Sequence, residues 1–106
     1  MSTTKDYAEY IFDVLSEDES VSWRMMMGEY IIYYNGKVVG GLYDNRFLVK
    51  TVPSAVKLMP EAVKELPYEG AKEMLLVENT DDREFLTALL REIANDLPEP
   101  KKKRKK

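Results

Sequence analysis

Asn35-Gly36, set between the runs Tyr30 to Tyr34 and Lys37 to Tyr43, constrains this chain more than any other dipeptide in it. Both residues tolerate positive φ, which the favoured two-residue hairpin turn demands at its two central positions. The flanking runs are rich in β-branched and aromatic residues and are expected to pair as antiparallel strands. Asp44-Asn45 offers a second, weaker two-residue turn, followed by a run from Arg46 to Lys50. The expected unit is a three-stranded meander, with a further short strand at Arg24 to Met27. Its expected register sets Tyr33 opposite Val38, Ile31 opposite Gly40, Leu42 opposite Phe47 and Gly40 opposite Val49.

That register divides the side chains into two faces. One holds Ile31, Tyr33, Val38, Gly40, Leu42, Phe47 and Val49, carries no charge and is expected to face the core. The other holds Tyr30, Ile32, Tyr34, Lys37, Val39, Gly41, Tyr43, Arg46, Leu48 and Lys50. Large apolar patches left open to water mark interaction sites, and Tyr and Arg are enriched at interface hot spots. Tyr30, Tyr34, Lys37, Tyr43, Arg46 and Lys50 are therefore the expected partner-binding residues, with a homodimer or another protein as partner. Cover by the protein's own loops is the competing reading, and stacking of nucleic-acid bases on the tyrosines is a third.

Helical signals flank the meander. Thr3 or Thr4 can cap a helix with Asp6 in its first turn, and Tyr7, Ile11, Val14 and Leu15 form its apolar stripe. Pro53 suits the first turn of a short helix over 53–58. Pro60, Pro67 and Gly70 punctuate a loop, and Glu73 to Glu78 reads as another strand. Asn79 or Thr80 is the expected cap of a last helix, with Leu86, Leu89, Leu90, Ile93 and Leu97 as its stripe and Pro98 as its stop. The expected fold class is α+β, with two layers: an antiparallel β-meander sheet and helices packed on one face. Residues 1–97 are expected to form that domain and 98–106 a disordered basic tail.

Composition narrows the chemistry. The 106 residues include neither cysteine nor histidine. Disulfides and thiolate chemistry are thereby excluded, and the commonest acid–base group and metal ligand is missing. A non-enzyme without a cofactor is the expectation. The polar start Met1 to Asp6 and the lack of a long apolar run predict a cytoplasmic protein with no membrane partner. Nineteen acidic and ten basic residues precede Lys101, a net charge of −9, and six cations follow. Lys101, Lys102, Lys103, Arg104, Lys105 and Lys106 fit a weak electrostatic arm for nucleic acid, a tail that screens the acidic body, or an import-type basic run after Pro100.

Other local features read as structural. Asp81 and Asp82, with Glu78 and Glu84, match a helix N-terminus better than a metal site. Met25, Met26 and Met27 are expected to pack in the core, because alternate strand residues cannot converge on one ion. Arg24 beside Trp23 is expected to organise the fold. Gly40-Gly41 sits mid-strand and marks a bulge or a close backbone approach, not a phosphate loop.

Arg24-Met25-Met26-Met27-Gly28-Glu29-Tyr30, Tyr33 to Lys37, Gly40 to Lys50 and Leu66-Pro67-Tyr68 together resemble the N-terminal domain family of the TfoX/Sxy regulators of bacterial natural competence. The resemblance spans roughly residues 5–97. It implies a two-layer α+β domain with helices on one side of an antiparallel sheet, present here as a stand-alone N-terminal domain. It also implies association with transcriptional control of competence and brings no catalytic motif.

Overall fold

A computed structural model describes residues 3–98. In chain order the elements are α1 (Lys5–Leu15), β1 (Val21–Met26), β2 (Glu29–Tyr34), β3 (Lys37–Leu42), β4 (Phe47–Val49), α2 (Pro53–Leu58), β5 (Lys64–Glu65), β6 (Met74–Leu76) and α3 (Arg83–Asp96). The strands make one antiparallel sheet in the order β1-β2-β3-β4-β6-β5, and the helices pack on one of its faces. The α+β class and the meander are as the sequence predicts. The sheet is longer than predicted at both ends: β1 starts at Val21, and β5 pairs with β6 through two residues too polar to signal a strand.

Three tight turns shape the meander. Asn35 and Gly36 have φ of 52° and 82°, and Asp44 and Asn45 have 54° and 61°. Met27 and Gly28, at 54° and 86°, make a third turn of the same kind between β1 and β2. A methionine at positive φ is uncommon, so composition gave no turn signal there. Thr4 caps α1 by accepting from the Tyr7 N–H. The cap of α3 is Asp82, not Asn79 or Thr80, and its carboxylate accepts from the Phe85 N–H. Asp82 thus satisfies an otherwise unpaired helix donor and favours the positive end of the dipole.

The expected register fails at one residue. Tyr33 pairs with Val38 as expected, but Ile32, not Ile31, pairs with Gly40, leaving Val39 as an extra residue. The cause is a β-bulge, and a one-residue slip moves every following side chain to the other face. Tyr30, Ile32, Tyr34 and Val39 therefore join the helix-side core with Leu42, Phe47 and Val49. Ile31, Tyr33 and Val38 do not; they lie on the opposite face, half-exposed. At Gly40, β3 lies so close to β4 that any side chain would meet backbone atoms of Leu48 and Val49.

Candidate functional site

The six residues expected to form one partner surface are split three ways. Tyr34 is buried in the core, and Tyr30 packs there edge-on against Phe12, with ring centroids 5.2 Å apart. Lys37 reaches across the helix side and donates from Nζ to the carbonyl oxygens of Ala94 (3.0 Å) and Leu97 (3.2 Å). A cation there satisfies carbonyls at the negative end of the α3 dipole. Tyr43, Arg46 and Lys50 keep to the outer side.

The chain covers that part of the outer side itself. The Tyr43 ring lies over Gly41, where a Cβ would approach its Cε2 to 2.8 Å. Tyr68, from the segment between β5 and β6, sits beside it at 6.3 Å between centroids. Leu48, paired with Gly41 and Leu76, is fully buried on this side. Arg46 donates from Nε to the Tyr43 carbonyl and pairs through Nη1 with Glu65 at 2.7 Å. Lys50 lines a shallow groove with Tyr43, Thr51, Pro67, Tyr68, Lys72 and Met74. Here the loop-cover reading describes the protein better than the open face.

Burial raises the Tyr43 hydroxyl above its ordinary pKa of 10.0, with further upward pushes from Tyr68, Glu29 and Tyr33. The folded protein then holds this proton to higher pH than the unfolded chain does. Stability from this residue is complete below about pH 10 and falls as pH rises through the folded value. Urea midpoints of the wild type are expected to drop more between pH 9 and pH 11 than those of Tyr43→Phe. Equal drops would show that Tyr43 is not covered.

An apolar surface that stays open is the edge strand β1 and the turn after it. Met25, Met26 and Met27 are 62%, 48% and 95% exposed, which corrects the expectation of core packing. Among the described residues no strand pairs with the outer edge of β1. Trp23 stacks one ring face on Phe12, at 4.1 Å and 4° between planes, and is 38% exposed. Arg24 is exposed. Ile31 and Tyr33 extend the same surface onto the outer face of β2. Sequence reasoning missed this edge because a methionine triplet scores as core in any apolar count. Its one available signal was the lack of a strand expected to flank it.

Charge sets this edge apart as well. Between Ser20 and Tyr43 the chain has a single acid, Glu29, against Arg24 and Lys37. Glu29 is occupied internally: its Oε1 accepts from the Thr3 N–H and hydroxyl and from the Asp44 N–H. The remaining acids lie elsewhere along the chain. Among the described residues no cluster of three or more metal-ligating side chains occurs, and no helix is long and apolar enough to cross a membrane. The tail residues Lys101 to Lys106 lie outside the described residues.

No family model matches the chain, and no solved structure matches it. The chain is 33% identical over 107 residues to the "uncharacterized 12.7 kDa protein in trpE 5′ region" of Spirochaeta aurantia, covering 100% of this chain and 93% of that one. A match of this extent takes in every element of the sheet and all three described helices, and the chain belongs to the same family as that Spirochaeta aurantia protein.

Proposed function

We propose that this chain is a non-enzymatic, cytoplasmic interaction module whose contact surface is the β1 edge and the Met27-Gly28 turn. The observation that carries the reading is the exposure of Trp23, Met25, Met26 and Met27 together on one unpaired strand edge. Methionine and aromatic residues are enriched at the centres of protein interfaces, and methionine's flexible thioether adapts to a partner's shape. The resemblance to TfoX/Sxy N-terminal domains supplies the regulatory setting proposed here, transcriptional control of competence. The one-sided packing of helices on an antiparallel sheet is the architecture that this resemblance implies.

A photo-crosslinking amino acid placed at Met27 tests the reading in cells that express the full chain. Discrete protein adducts are expected at position 27 and not at Glu9, an exposed position on α1. Equal yields at the two positions would overturn the reading. Nucleic acid bound through the basic tail is the second reading, favoured by the six consecutive cations of residues 101–106. Loss of DNA and RNA retention at low salt on removing those six residues would support it.

A further inference from the structure

We infer that the occupant of the β1 edge is a second copy of this chain, paired antiparallel about a two-fold axis with Trp23 opposite Trp23. The inference rests on the reading of β1 as the contact surface and adds the partner and the register. It begins with backbone hydrogen bonds. In a two-residue hairpin the residues flanking the turn exchange bonds with each other, and bonded and non-bonded pairs then alternate along the ladder. Met26 and Glu29 flank the Met27-Gly28 turn, so Met26, Arg24 and Ser22 direct their N–H and C=O groups toward β2. The Asn35 N–H donates to the Ser20 carbonyl at 2.8 Å, which continues the same alternation. Trp23 and Met25 consequently point their backbone groups outward, where no strand among the described residues receives them.

A strand added at this edge must pair with those outward groups. For a two-fold pairing of β1 with itself, three central registers satisfy that condition: Trp23 on Trp23, Arg24 on Arg24, or Met25 on Met25. The second sets two guanidinium groups against each other in a closely spaced pair, and like charges directly opposite destabilise a sheet. The third brings Trp23 opposite Met27, whose φ of 54° takes it out of strand geometry. The first sets Trp23 on its own copy, where the two residues exchange both backbone bonds, with Ser22 opposite Arg24 and Val21 opposite Met25; there only the Val21 carbonyl is open to the copy, because the Val21 N–H donates to the Asp18 carbonyl at 3.0 Å. This register joins aromatic and aliphatic side chains on one face without opposing any two charges.

Charge also favours a second copy at this place. Two bodies that each carry −9 over residues 1–100 repel almost everywhere, and the stretch from Ser20 to Tyr43 is where the acids thin out to the internally bonded Glu29. Closed two-fold dimers are the commonest assembly of soluble chains, and pairing here removes an exposed apolar edge.

Sedimentation of the full chain from about 1 µM to about 500 µM, the range that brackets a weak dimer, is expected to show a reversible monomer–dimer equilibrium. Met25→Lys, at an exposed position, is expected to weaken it at least about tenfold while leaving the circular dichroism spectrum unchanged. The chain lacks cysteine, so single cysteines report the register cleanly. Trp23→Cys is expected to form a disulfide-linked dimer faster than Arg24→Cys, Met25→Cys or the α1 control Glu9→Cys. A monomer at every concentration, a dimer indifferent to Met25→Lys, or faster linkage at position 24 or 25 would each overturn the inference. If adducts form at Met27 in cells while the pure chain stays monomeric, the interaction surface stands and the second copy as its occupant falls.

Discussion

Replacing Gly40 with alanine is expected to cost about 3 kcal/mol of folding stability, near the upper end of ordinary overpacking. The added methyl would collide with the Leu48 carbonyl oxygen and lie 2.9 Å from the Val49 Cα. Both are backbone atoms of the neighbouring strand, so no rotamer change relieves the contact, and either β3 or β4 must move. Gly70→Ala is the matched control. Gly70 has a φ of +89° and nothing within 4 Å of its missing Cβ, so that substitution carries only backbone strain of roughly 1–2 kcal/mol. Urea unfolding of the two variants measures the difference directly. If Gly40→Ala loses no more than Gly70→Ala, the close approach of β3 to β4 is wrong.

Leu48→Ala is expected to cost about 3 kcal/mol, within the range for emptying a buried leucine site. The expectation is specific to the arrangement of the outer face. Leu48 points away from the helices, and a leucine on an open sheet face loses little when truncated. Here it is fully buried beside Gly41, where the Tyr43 ring closes over the sheet. A urea midpoint almost unchanged from wild type would mean that the segment carrying Pro67 and Tyr68 leaves this face open.

Much of the fold could be read from local chemistry. Asn35-Gly36 and Asp44-Asn45 form the turns their residue types favour, Thr4 caps α1, and Pro53 opens α2. The face assignments could not be read in the same way, because they depend on a bulge between β2 and β3 that leaves Val39 unpaired. The Gly-Gly pair does suggest a bulge, but the sequence does not say which residue becomes the extra one. Val39 took that place, and Tyr30 and Tyr34 turned inward as a result. Tyr43 and Lys50 were placed on the correct side, yet Tyr43 is covered by a tyrosine twenty-five positions away, and no pattern along the chain predicts that contact. The methionines are exposed for a related reason: burial depends on having a neighbour, and β1 is an edge of the sheet.

The same edge geometry gives the most direct test of how the protein makes contact. Amide hydrogen exchange of the full chain, followed residue by residue by NMR at low and high protein concentration, reads the outward backbone groups of β1 themselves. The Trp23 and Met25 amides are expected to exchange rapidly in dilute solution and at least about tenfold more slowly at high concentration, while the Arg24 amide, bonded to β2, keeps one rate throughout. Rates at Trp23 and Met25 that do not change with concentration would contradict self-pairing at this edge.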